Sequence, residues 1–333
     1  MPQIGPESQS LYVIIFMKFG TSEVEMQPTA GRSVPSSRLA ALGRTLALGI
    51  AFTATLTALA VPMGVAYLAY QRWIGGHSLQ EASLHLEDAL LLLHALASVL
   101  AMAGAFVWVG VFMRGIDRQG DLRGLGWRRI PRGWAGFGLG VAGGALLAGI
   151  PVVLALAAGD LTFGASHASL EGGVDVLLDA LGSAIVIGSL VVGEELVFRG
   201  YMPWTLRRGR WPEELTTLLP ALLFALYRVV LAPASLAICL NALAAGALLG
   251  LLARLTGSLH ISIGARLGWA VVVGLTLSLP LGGAPVEGIL HSLPTPGLAL
   301  DQGFGPEGSW LLLPLLSVGA ALAHLVTFLR RPR

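Results

Sequence analysis

Long apolar runs alternate along the chain with short polar segments. A helix needs roughly 20 apolar residues to cross the hydrocarbon of a bilayer. That window predicts eight spans, at about 45–71, 89–113, 134–158, 176–203, 215–231, 235–253, 259–280 and 309–329. The fourth and fifth are interrupted, by charged residues and by Pro220 respectively. The expected fold is therefore all-α: a polytopic transmembrane bundle of about eight helices over 38–333, preceded by a loosely ordered tail over 1–37. The short apolar run Leu11 to Met17 is too short for a span, and its one flanking lysine, Lys18, follows it rather than precedes it.

Composition agrees. Of the 333 residues 55% are hydrophobic and 12% charged, about half the charge of a soluble domain. The few charges set an orientation. With eight spans both termini share a side, and the segments 1–44, 114–133, 204–214, 254–258 and 330–333 on that side hold 17 of the 21 basic residues. The opposite loops hold one, Arg72, together with nine acids that include Asp160, Glu171, Asp175, Glu287, Asp301 and Glu307. Lys and Arg accumulate in cytoplasmic loops, so both termini are expected in the cytoplasm. The arginines of 114–133 (Arg114, Arg118, Arg123, Arg128, Arg129, Arg132) serve this orientation beside anionic headgroups. Because the basic residues are dispersed between apolar stretches, no nucleic-acid surface is expected. A single cysteine, Cys239, allows no internal disulfide and reads as packing. The outer loop 281–308, rich in Gly and Pro, is long enough to cover the bundle or to carry a partial helix, and both readings stay open.

Six charges remain inside the spans: Asp179, Glu194, Glu195, Arg199, Arg228 and Arg266. Ionisable groups at membrane depth cost at least about 2.5 kcal/mol each, so they pair, face a cavity and mark function. Asp179 lies close enough to the outer end of its span to reach water. Glu195 and Arg199 are four apart on one helix face and are expected to pair. Glu194 projects about 100° away, toward the bundle interior, as a base or a metal ligand. Asn241 is expected to hydrogen-bond between helices.

The run EELVFRG resembles the EExxxR motif of the CPBP intramembrane proteases, the family of type II CAAX prenyl proteases and bacterial Abi-like proteins. The resemblance extends over roughly 120–275, including LRGLGWRR near Leu125. Members carry FxxxH on the next helix, and ALLFALYRVV provides Phe224 with Arg228 in the histidine place. A third motif, HxxxN, follows a stretch like TGSL; here TGSLHISIGARLGWA puts Arg266 at the histidine and Ala270 at the asparagine. The resemblance implies that Glu194 is the general base, with Glu195 and Arg199 in support. It also implies that positions 228, 266 and 270 are those that assist water activation, metal binding and the oxyanion.

These departures decide the chemistry expected. Arginine offers only donors, and alanine offers no polar atom, so Arg228, Arg266 and Ala270 supply no metal ligand. Two guanidiniums beside the glutamates would occupy the carboxylate oxygens and convert the site into an ion-pair cluster of two acids and three bases. Arg228 or Arg266 is thus expected to contact Glu194 or Glu195. No cofactor is expected, and a metal at Glu194 only if His260 or His324 stood in for the lost ligands; both read as interfacial structural residues, and His94 lies in the outer part of its span.

The leading reading is a CAAX-protease-like intramembrane protein of the bacterial inner (plasma) membrane with a degenerate site. It would bind a hydrophobic or prenylated peptide, or a membrane-protein partner, without cutting it. The first alternative is an active endopeptidase, with zinc or another divalent metal, using Glu194 and arginine-stabilised oxyanions. The second is a transporter or anion-binding protein, which a basic cavity open to water would favour over an ion-paired one.

Overall fold

The computed structural model describes residues 37–329, apart from 77, 119–121, 128–131, 165–172, 233–234 and 296. The tail expected over 1–37 (save Ser37), Arg128, Arg129 and the last four residues lie outside them.

Local capping chemistry starts several helices where the pattern changes. The Ser37 hydroxyl accepts from the Ala40 amide and opens α1 (Arg38–Trp73), and Ser235 does the same for Ile238 at the start of a later helix. In order follow α2 (Leu79–Val111), which runs on through a π-turn at Phe112–Ile116, and α3 (Arg132–Ala158). Next come α4 (Gly173–Glu195), a π-turn at Leu196–Tyr201 and the short α5 (Met202–Arg208), together one continuous span. Then follow α6 (Leu215–Leu231), α7 (Leu236–Thr256), α8 (Leu259–Ala270) with a π-turn at Val271–Thr276, and α9 (Leu312–Leu329). The turn between α7 and α8 is sharp. Gly257 closes α7 in the left-handed region (φ +58°), and Ser258 at once caps α8 through the His260 amide.

Among the described residues seven of these runs are long and apolar enough to cross a membrane, and α6 is a shorter apolar helix. All eight expected spans are thus present as helices. Pro220 does not break the fifth, which is helical over Leu215–Leu231. Leu146, Val153, Leu178 and Leu322 are among many large apolar side chains on the outer surface, as lipid-facing helices require.

Two glycines on each of α3 and α8 bring this pair into backbone contact. A Cβ at Gly140 would collide with the Ile261 carbonyl, and one at Gly144 with that of Ala265. From the other side, Gly264 and Gly268 lie against the carbonyls of Phe137 and Val141. Small residues four apart allow such approach, and close packing drives helix association where no hydrophobic effect operates between helices. Arg266 sits between Gly264 and Gly268, so this contact fixes its position.

The loop 281–308 packs back against the helices. It carries a strand, β2 (Ser292–Pro294), antiparallel to β1 (Leu161–Phe163) with Thr162 opposite Leu293, and a 3₁₀ turn at Pro306–Gly308. Leu279, Ala299 and Leu300 are buried with Val152, Ala155 and Val273 in a cluster beneath it. A second buried cluster contains Leu48, Phe52, Phe198, Tyr201, Phe224 and Tyr227, the last two in contact with Arg199 and Glu194 respectively.

Candidate functional site

Glu194 and Glu195 end α4 and lead directly into the π-turn Leu196–Tyr201, which contains Arg199. Single-turn π segments inside α-helices recur at functional sites, because the extra residue re-aims side chains. All three are almost fully buried: Glu194 is 1% exposed, Glu195 0% and Arg199 4%. The expected pair forms, with Arg199 Nη1 at 3.1 Å from Glu195 Oε1. Tyr201, at the end of the π-turn, donates to Asp117 Oδ2 at 2.8 Å, and Asp117 also pairs with Arg44 of α1. These contacts tie the turn to α1 and to the end of α2.

Arg266 reaches across from α8. Its Nη1 pairs with Glu194 Oε2 and lies 3.5 Å from Glu195 Oε1. The remaining oxygen of Glu194, Oε1, accepts from the Tyr227 hydroxyl at 2.9 Å. Phe224 lies against both cations: its ring centroid is 4.2 Å from Arg199 Cζ and 5.4 Å from Arg266 Cζ, the quadrupole face offering each a favourable contact. Four charges therefore balance within one buried cluster, which is the condition for tolerating ions at this depth.

Arg228 departs from the expected cluster. Its Nη2 lies 3.1 Å from Glu307 Oε2, at the 3₁₀ turn of the outer loop, not at Glu194 or Glu195. Glu307 also accepts from the Gly282 amide at 2.9 Å. Gly282 has φ +63°, and a Cβ there would strike the Arg228 guanidinium, so the close approach needs glycine. Asn241 of α7 holds the same turn: its Nδ2 donates to the carbonyls of Glu307 (2.9 Å) and Ser309 (2.8 Å). Its bonds thus go to a loop and not, as expected, between helices. Physically, Arg228 lies one turn from the C-terminal end of α6, where the loop acid is the partner within reach.

Between these two ion pairs lies a cavity of about 650 Å³, with walls mostly of Leu, Ile, Val, Ala and Gly. Glu194, Arg228, Arg266, Ala270 and Glu307 line it, as do His94, Asn241 and Trp269. Glu194 and Glu195 contribute little accessible charge. Side-chain exposure is 2% for Glu194 and 0% for Glu195, against 17% for Arg266, 20% for Arg228 and 26% for Glu307.

A general base must present a lone pair to the water that it activates. Glu194 Oε1 accepts from Tyr227 and Oε2 is ion-paired with Arg266, and with its side chain 2% exposed little of the carboxylate faces a cavity water. The donor set does not fit a metal: Arg228 and Arg266 have no lone pair to offer, and Ala270 has no polar side-chain atom. His260 is held at the start of α8 by Ser258 (3.1 Å, Oγ to Nδ1) and packs on Trp127, and His324 is exposed on α9. Neither lines the cavity, and among the described residues no group of three or more His, Cys, Asp or Glu is placed to hold a metal. Asp179 is partly buried in the second turn of α4.

Two partners escaped the sequence reading. Tyr227 carries no charge and precedes the residue that the motif singles out. Glu307 is one of nine acids in the outer loops, and nothing in its neighbours distinguishes it.

Residues 175–272 match the family model described as type II CAAX prenyl endopeptidase Rce1-like. No curated protein and no solved structure matches the chain. The matched segment contains Glu194, Glu195, Arg199, Phe224, Arg228, Arg266 and Ala270, so this part of a multi-pass helical membrane protein is similar to type II CAAX prenyl endopeptidases.

Proposed function

We propose that this is a CAAX-protease-like intramembrane protein of the bacterial inner membrane that binds a hydrophobic or prenylated peptide, or a membrane-protein partner, without hydrolysing it. One observation carries the reading. Arg266, at a motif histidine position, ion-pairs with Glu194, whose side chain is only 2% exposed, where a base would need a free carboxylate facing water. The cavity then acts as a receptor for an apolar chain, its volume lying within the range of ordinary ligand sites, about 300–1,000 Å³.

A second reading, an active endopeptidase, draws support from the same residue. Arg266 is 17% exposed at its side chain and uses Nη1 for both glutamates, so its other N–H groups can reach an oxyanion formed in the cavity. A transporter is favoured less, because the intramembrane arginines are ion-paired.

Three proteins in nanodiscs decide between binding and cleavage: wild type, Glu194→Ala, and the triple variant Arg228→His, Arg266→His, Ala270→Asn. Each is assayed on a fluorogenic farnesylated peptide. The expected result is no turnover by wild type or Glu194→Ala and, with added zinc, measurable turnover by the triple variant. Turnover by wild type that Glu194→Ala abolishes overturns the binding-only reading.

A further inference from the structure

We propose that the cavity selects an uncharged amphiphile, an apolar chain with a hydroxyl-bearing head, and that the Arg228–Glu307 pair is the element that rejects anionic ones. This rests on the receptor reading of the same cavity and goes beyond it by assigning a lipid-like occupant in place of a peptide.

The argument starts from charge. The cavity is lined by two acids, Glu194 and Glu307, and two bases, Arg228 and Arg266, with the Glu195–Arg199 pair bonded behind them, and every one of the six has an opposite charge within 3.5 Å. An arriving carboxylate or phosphate would bring an uncompensated charge into an apolar enclosure. It would otherwise have to displace Glu307 from Arg228, leaving that acid unpaired. Either course is strongly unfavourable. The two accessible cations thus make the site look basic, but Glu307 cancels the one nearest the outer end.

Hydrogen-bonding capacity remains where net charge does not. Arg228 and Arg266 each commit one nitrogen to their partners and are about one-fifth exposed, so further N–H donors face the cavity. A hydroxyl head accepts from such donors and can donate to a carboxylate oxygen of Glu307, which is 26% exposed at its side chain, without adding charge. The remaining wall is apolar and suits a hydrocarbon chain.

The experiment uses full-length protein in nanodiscs at about pH 9 and reads quenching of Trp269, defined as the part of the quenching that Trp269→Phe removes. The probes are a dibrominated monoacylglycerol and the dibrominated fatty acid of the same chain, ionised at that pH. In wild type the monoacylglycerol should quench at a concentration roughly tenfold lower than the carboxylate, the cost of an unpaired charge setting the direction. Glu307→Gln frees Arg228 and should reverse that order. The double variant Arg228→Gln, Glu307→Gln removes both charges and should restore it, which separates a charge effect from a loosened loop. Equal quenching by both probes in wild type, no Trp269 quenching by either, or a preference unchanged in Glu307→Gln overturns the proposal. None of these readouts involves hydrolysis, so the cleavage question stands apart.

Discussion

At Arg266 one guanidinium nitrogen serves two carboxylates, Glu194 and Glu195, from opposite sides of a helix interface. Removing one partner of a buried ion pair is costly because the other charge stays behind. Arg266→Ala should therefore lower stability by about 3–5 kcal/mol, whereas Glu194→Gln with Arg266→Met should recover most of that loss. Unfolding in detergent, followed by the accessibility of Cys239 to a thiol dye, measures both. If the single and double variants lose the same stability, the pair is not what holds the cluster. This contact was legible beforehand, since an arginine at membrane depth needs an acid and the nearest acids lie on the motif. The partner of Arg228 was not. Glu307 lies 79 positions away, in a loop whose course depends on the buried cluster beneath it, and spacing on one helix says nothing about that. Tyr227 was equally silent, because only its place beside Glu194 gives its hydroxyl a role.

Among the elements, the α3–α8 contact is the one on which the site depends most. Gly144 meets the Ala265 carbonyl, one residue from Arg266, whereas Gly143 has no heavy atom within 4 Å of where its Cβ would stand. Gly144→Val should push α8 outward, withdraw Arg266 from Glu194 and sharply reduce the yield of folded protein; Gly143→Ala should leave it unchanged. Size-exclusion profiles of the two variants in the same detergent make the comparison, and equal yields would show that the close approach is dispensable. The helices themselves could be located from apolar length, and the fifth span coincides with α6 throughout. The π-turns could not, because Leu196–Tyr201 and Val271–Thr276 differ from α-helix by hydrogen-bond register and not by pattern. The β1–β2 pairing joins two outer segments more than 100 residues apart and has no local signature.

For the whole molecule, the distribution of arginines predicts the side on which each loop lies. In a Cys239→Ala background, Arg210→Cys should resist an impermeant maleimide applied to intact cells and react once they are permeabilised, whereas Gly303→Cys should react at once. Labelling in the opposite order would invert the topology. The sequence by itself determined the solvent, the number of helices and the identity of the motif, because each follows from apolar run length, charge position and local spacing. It also determined that the motif carries arginines in place of metal ligands, which is a matter of side-chain chemistry alone. Only the tertiary structure decided how those arginines are used. Arg266 closes on Glu194 and Arg228 turns to Glu307, since ion pairing at depth depends on which helices meet and on where a distant loop folds back.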